Sequence, residues 1–193
     1  ELTYLSVDSD GQISLDELKN SIQVNTHLIS IMWVNNETGT IQPIQEICSI
    51  AKANQIVFHC DATQALGKVD LHVQDLPDLI SFSAHKIYGP KGVGGLVINN
   101  DSIQIFPLVF GGNQERGLRS GTLPTQQIVG MSEAFKLIPQ MLQKKEFYHH
   151  WKNNIFELLT TKYSEKVKIN SFNESVPNLL SFSVIDFDWD ELF

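Results

Sequence analysis

An α/β fold is what this sequence predicts, and three observations carry the prediction. Short β-rich runs alternate with amphipathic helical stretches, the order expected of parallel strands joined by crossover helices. The runs LISIMWV, LISFS and GGLVI are almost continuously apolar, as strands covered on both faces are. The 193 residues suffice for one sizeable core and the beginning of a second, since domains hold roughly 100–200 residues.

In chain order, strands are expected at residues 2–7, 28–34, 56–60, 79–83 and 94–98. Ser14 followed by Glu17 forms a capping box that opens a helix through Leu18 and Ile22. Pro43 suits the first turn of the next helix, which carries Ile44, Ile47 and Ile50. From Pro124 the pattern is helical through Ile128, Met131, Ala134, Leu137 and Met141, up to the charged pair Lys144 and Lys145. A boundary is expected there, giving a domain over 1–142 and the start of another over 143–193. The second begins with a helix around 151–159 and a strand around 179–184. The chain opens at Glu1 without methionine and stops at DWDELF, so it reads as a fragment.

Composition excludes several classes. A hydrophobic content of 42% with 19% charged residues is that of a globular chain, not a disordered or fibrous one. The formal net charge of -8, with no basic stripe, argues against a nucleic-acid partner. No apolar run approaches the roughly 20 residues that span a bilayer, and no basic-then-apolar leader opens the chain. No membrane partner and no export are therefore expected. The two cysteines, Cys48 and Cys60, are too few for a disulfide framework or a zinc site, which fits a reducing cytoplasm and no metal.

One motif invites a different reading. SVDSDGQISLDE has the spacing of a calcium loop, but Ser6 stands where the first carboxylate belongs, and LTYL before it is β-like instead of helical. The stretch reads as a polar turn into a helix capped by Ser14. A calcium-binding or interaction module remains the rival from another class.

The chemistry lies between Asn35 and Pro124, where NNETG, DATQ, SAHK and RSGT punctuate apolar strands. The first three follow expected strand ends, and an open α/β sheet binds ligands beyond the carboxyl ends of its strands. Lys86 offers a primary amine directly after a buried strand. With an ordinary pKa near 10.4, such an amine attacks a carbonyl only when it is desolvated or placed beside another cation. Asp61 could hold a proton on a pyridinium nitrogen, Asn36 and Gln64 could bond a ring hydroxyl, and Ser83, His85 and Thr122 could hold a phosphate. Aldehyde, pyridine and phosphate together describe pyridoxal phosphate. Taken singly, each residue has a plainer reading: Asp61 as a helix cap, Asn36 as a turn former before Gly39, Lys86 as a solvated loop lysine. His59, inside a strand, reads as structural. GPKGVGG is not a nucleotide P-loop, because LVI after it continues as a strand and no helix starts there.

The ordered set VNNETG, HCDATQALGK, SFSAHKIYGPKGVGG and GGNQERGLRSGTLPTQQIVG resembles the class V aminotransferases, in particular their NifS-like and IscS-like cysteine desulfurases. The resemblance covers the chain to about Phe135 and continues more weakly through VPNLLSFSV. It implies fold type I of the pyridoxal-phosphate enzymes, with a mostly parallel, seven-stranded-type large-domain sheet, incomplete here, and the start of a smaller C-terminal α+β domain. It also implies a homodimer. By motif position Lys86 would carry the cofactor, Asp61 would meet the ring nitrogen, Asn36 and Gln64 the ring, and Ser83 and His85 the phosphate. Thr122 would reach the phosphate of the neighbouring subunit. The implied reaction takes L-cysteine to alanine and enzyme-bound persulfide sulfur, for iron–sulfur scaffolds or tRNA-thiolation proteins. A selenocysteine lyase, or another class V lyase or aminotransferase, is the nearest alternative. Ala84 stands where glycine is common. The ring-stacking histidine would precede Glu1, and the persulfide cysteine and substrate-carboxylate arginine would follow Phe193. The chain by itself is accordingly expected to be inactive, since neither Cys48 nor Cys60 occupies the persulfide position.

Overall fold

A computed structural model describes residues 1–70, 76–171 and 174–186, so the DWDELF ending lies outside the described residues. Four strands form the main sheet in sequential order: β1 (Leu28–Met32), β2 (Val57–Asp61), β3 (Leu79–Ser83) and β4 (Gly94–Ile98). The first three are parallel, and β4 returns antiparallel to β3. The carboxyl ends of β1, β2 and β3 therefore share one edge.

The strand expected at residues 2–7 does not form; only Val7 bridges Ile13 across a tight turn. Asp8 closes that turn, its Oδ1 accepting the N–H groups of Asp10 and Gln12 at 2.9 Å, with Gly11 at φ +76°. The hairpin brings no neighbour alongside residues 2–6, and Leu2 and Tyr4 stay exposed. Helix α1 (Leu15–Ser21) starts where Ser14 Oγ accepts the Glu17 N–H, but Glu17 bonds the Ser6 N–H instead of closing the capping box.

Alternation along the strands sorts the sheet into two unlike faces. Ile29, Phe58 and Cys60 face the core, covered by α1 and by Ile44, Ile47, Cys48 and Ala51 of α2 (Ile44–Ala53). Pro43 serves as the cap of α2 and not as a residue of its first turn. The opposite face carries Leu28, Met32 and Leu96, all exposed, with polar Ser30, His59 and Ser81 between them. The described residues thus cover the strands on one side. No helix among the described residues packs on the other face. His59 is structural, as expected, with Nδ1 2.9 Å from Ser30 Oγ and Nε2 3.0 Å from Ser81 Oγ, tying three strands.

The glycines of β4 follow from packing. A Cβ at Gly95 would run into the ring of Phe82 on the paired strand, and that ring meets Phe135 edge-on at 5.3 Å. Phe135 closes α3 (Thr125–Phe135), which Pro124 caps and which leads to α4 (Ile138–Gln143) and α5 (Lys145–Lys162). The helical path breaks at Lys136 and Leu137, inside the stretch expected to be helical, and again at Lys144. After it, β5 (Val167–Ile169) and β6 (Phe182–Val184) pair antiparallel in a separate small sheet. This later segment also reaches back: the Val176 N–H donates to Gly39 O at 2.9 Å, the Ile41 N–H donates to Glu174 O at 2.8 Å, and Val176 joins the main core.

Candidate functional site

The site is built where three parallel strands end together. Beyond β1, Asn35 forms the turn: its Oδ1 accepts from the N–H groups of Glu37 and Thr38, and its carbonyl accepts the Gly39 N–H, with Gly39 at φ +79°. The turn-forming role considered for Asn36 thus falls to Asn35. Asn36 is exposed, and its amide has no hydrogen-bond partner among the described residues.

Asp61 ends β2 on the open face of the sheet. Its Oδ1 accepts the Thr63 N–H at 2.9 Å, which shapes the following turn, and the carboxylate is exposed with its second oxygen left over. Thr63 begins no regular helix, so the capping reading reduces to this one turn bond. Gln64, one turn on, accepts at Oε1 from the Lys68 ammonium.

Ser83 ends β3, also on the open face, and leads into a 3₁₀ turn over Ala84–Ile87 without spending its hydroxyl on a cap. The turn is anchored by buried Ala84 and Ile87, which leaves His85 and Lys86 projecting outward. Ala84 is fully buried, and Gly89 packs so closely on it that a Cβ at Gly89 would lie 2.9 Å from Ala84 O. Tyr88 closes the turn at φ +67°, a left-handed conformation uncommon for an aromatic residue, two positions from Lys86.

Lys86 was expected to be desolvated by its strand; instead it is exposed, because the 3₁₀ turn lifts it off the sheet. Other cations share its surroundings. Lys86, His85, Lys68 and Lys145 line one cavity of about 250 Å³ with Tyr88 and Tyr148. The Lys68 ammonium is held below its ordinary pKa, first by burial and then by the charge of Lys86. Sequence reading missed Lys68, Lys145 and Tyr148. Only the four-residue spacing from Gln64 to Lys68 signalled the first, and the other two come from α5, well beyond Lys86 in the chain.

Thr122 is exposed on the segment before α3 and is not among the residues lining this cavity. Cys60 and Cys48 are both buried in the core. The Cys60 thiol is pushed up to about 12, by burial foremost, then by Cys48 and by Asp61, so it stays protonated at neutral pH. A larger cavity of about 930 Å³ lies elsewhere, lined by Lys52, Phe58, Asp78 and Asp101. It sits at the amino end of β2 and contains none of the candidate residues.

A parallel α/β sheet with an amine, a carboxylate and amide and hydroxyl donors at its carboxyl edge is the scaffold of a cofactor enzyme. The aminotransferase class-V family model matches residues 1–193, and the chain belongs to that family. It is 43% identical over 187 residues to cysteine desulfurase IscS of Buchnera aphidicola subsp. Baizongia pistaciae, covering 95% of this chain and 46% of that protein. A solved NifS-like protein superposes with a TM-score of 0.84 at 38% identity, over 98% of this chain and 52% of the other. A structure described as SspA in complex with cysteine gives 0.80 at 38% identity, over 94% and 50%. The chain thus spans about half the length of these relatives. The fold is that of the type I pyridoxal-phosphate enzymes, and pyridoxal phosphate is the family's cofactor.

The residues present fit that group. The open face leaves a carboxylate oxygen of Asp61, the Ser83 hydroxyl, the Asn36 amide and the Lys86 amine at one edge, the donor and acceptor set that a pyridine ring, an aldehyde and a phosphate require. No helix among the described residues is long and apolar enough to cross a membrane.

Proposed function

We propose that the protein containing this chain is a pyridoxal-phosphate-dependent cysteine desulfurase, converting L-cysteine to L-alanine and passing the sulfur to an enzyme thiol. The observation that carries this reading is the exposed Lys86 on the turn after β3, at the same carboxyl edge of three parallel strands as Asp61. When bound, the cofactor supplies an aldehyde carbon for an amine and an electron-withdrawing pyridinium ring. Lys86 attaches the cofactor and serves as the base that moves the substrate proton. Asp61 keeps the ring nitrogen protonated. Asn36 and Gln64 hold the ring, and Ser83 and His85 bind the phosphate. The thiol that receives sulfur is neither Cys60, which is protonated and buried, nor Cys48, which is buried within α2.

Residues 1–142 then belong to the large cofactor-binding domain and 143–193 to the beginning of the small one, a division supported by the helix break at Lys144 and the separate β5–β6 sheet. A cytoplasmic protein delivering sulfur to iron–sulfur scaffolds or tRNA-thiolation proteins is the matching context. The test is to incubate the purified full-length protein, loaded with cofactor, with L-cysteine and a reductant. Alanine and sulfide should appear in equal amounts; turnover of selenocysteine with none of cysteine would replace this reading by a selenocysteine lyase.

The enzyme works as a homodimer in which Thr122 serves the partner's phosphate. Its exposure outside the Lys86 cavity supports that reading. Mixed dimers of a Lys86→Ala chain and a Thr122→Ala chain should regain activity, because one hybrid site carries both defects and the other none. Activity that stays at the level of the parent variants, despite proven subunit exchange, would place Thr122 in its own chain's site.

A further inference from the structure

We propose that Lys68 is a positioning residue that fixes the Gln64 amide so that its –NH2 group faces the cofactor ring. The inference rests on the reading that Lys86 carries pyridoxal phosphate. It begins from one hydrogen bond: the Lys68 ammonium donates to Gln64 Oε1. An amide side chain can present either an acceptor or a donor, and the two ends are close in shape. An ammonium has three donors and no acceptor, so Lys68 binds only the oxygen end. The nitrogen end is then turned to the other side, where it serves as a donor to an anionic ring oxygen and not as an acceptor against it.

The fold holds Lys68 to this task. It sits on the same turn as Gln64, four residues later, and the turn is stitched by the Lys68 N–H to Ala65 O and the Val69 N–H to Ala65 O bonds. Gly67 beside it has φ +71°, and a Cβ there would lie 2.6 Å from Met141 Cε, so α4 packs directly on the turn and limits its movement. Lys68 is half-buried, and the charged or titratable groups lining its cavity are Lys86, His85 and Lys145 with Tyr88 and Tyr148; no carboxylate is among them. A partly buried ammonium in a cavity lined by other cations and no carboxylate has the Gln64 oxygen as its neutral acceptor, which favours this amide orientation. The same crowding lowers the proton affinity of Lys68 through burial and then through Lys86. Because both lysines line one cavity, the Lys68 charge disfavours additional positive charge within it.

Two consequences run in the same direction. Losing the Gln64 donor destabilises an anionic ring oxygen, and losing the Lys68 cation favours retention of a proton beside it. Both raise the pH at which the bound cofactor loses its proton. The experiment uses the full-length holoenzyme and follows the visible absorbance of the bound cofactor against pH, with cofactor content and thermal unfolding measured on each variant. Lys68→Met keeps the aliphatic stem and removes the ammonium; Lys68→Gln does so with a polar head. Both should raise the absorbance midpoint by about one unit, the size of a lost hydrogen bond to a charged group. Lys68→Arg, which keeps both the donor and the charge, should restore most of the shift. Gln64→Leu should move the midpoint upward as well, and adding it to Lys68→Met should move it no further, because one residue acts through the other. A midpoint unchanged in a folded Lys68→Met or Lys68→Gln protein with full cofactor content would overturn the proposal, as would fully additive shifts in the double variant. Borohydride trapping separates this failure from failure of the underlying reading: if the wild-type cofactor is fixed to Lys86 and the midpoints do not move, the Lys68 inference alone is wrong. If the cofactor is not fixed to Lys86, the site assignment itself falls.

Discussion

Replacing Asp61 with alanine should lower cysteine turnover by about 10²- to 10³-fold while leaving most of the cofactor in place, the scale seen when one charge-stabilising group is removed from an active site. The two quantities separate because different residues control them. In the proposed site, retention of the cofactor rests on Lys86 and on Ser83 and His85 as phosphate ligands, which lie on and after β3. Asp61 lies on β2, and its proposed contribution is to keep a proton on the ring nitrogen, which matters when negative charge develops during the reaction and much less in the resting state. Its Oδ1 also accepts the Thr63 N–H, so truncation loosens the turn that carries Gln64. Asp61→Asn keeps a carbonyl acceptor for that turn bond but carries no charge. Turnover of Asp61→Asn close to that of Asp61→Ala assigns the loss to the missing charge. Recovery to near the wild-type rate in Asp61→Asn would assign it to the turn and remove Asp61 from the proposed chemistry. The measurement is kcat by alanine release, beside cofactor content by absorbance.

How much of this was legible in the sequence depends on how local the signal is. Strands β1 to β4 fall within the expected segments to within a residue or two because each is a short β-rich run bounded by turn formers. The strand expected at 2–7 had the same composition and failed, since a strand needs a neighbour and the Asp8 turn leads the chain back only as far as a single bridge. Apolar runs do not tell which parts of a chain cover each face of the sheet, and the described residues cover one face. Burial on the second face depends on what packs there, and the same residues, Leu28 and Leu96, read identically with or without a cover.

The site divides in the same manner. Asp61 and Ser83 could be placed together from sequence because parallel strands share a carboxyl edge and the register puts both on one face. Asn36 and Asn35 could not be told apart, since either could form the turn; the hydrogen bonds to Glu37 and Thr38 give that work to Asn35. Lys145 and Tyr148 were invisible because they arrive from α5, brought to the cavity by packing between α4 and the Gly67 turn. The exposure of Lys86 was misjudged for a related reason: a lysine following a buried strand inherits that burial only if the chain continues straight, and here it turns at once into a 3₁₀ helix.

Lys86 is where the largest loss is expected. Reducing the full-length holoenzyme with borohydride should fix the cofactor to the protein, and peptide mapping should find the pyridoxyl group on the peptide SAHK, at Lys86. Lys68 is the informative competitor, because it shares the cavity and its ammonium is held below the ordinary lysine pKa. Proton affinity alone would select it. Geometry selects Lys86: it is exposed toward the open edge, whereas Lys68 is half-buried with its ammonium committed to Gln64. Lys86→Ala should then reduce turnover by at least about 10³-fold, since it removes both the attachment point and the base that moves the substrate proton. Lys86→Arg should be no better. A guanidinium with a pKa above about 12 neither attacks a carbonyl nor accepts a proton at neutral pH, so charge alone cannot rescue the site. Label on Lys68, or Lys86→Ala turnover within about tenfold of wild type, would move the chemistry to the other lysine and with it the roles given to Gln64 and His85.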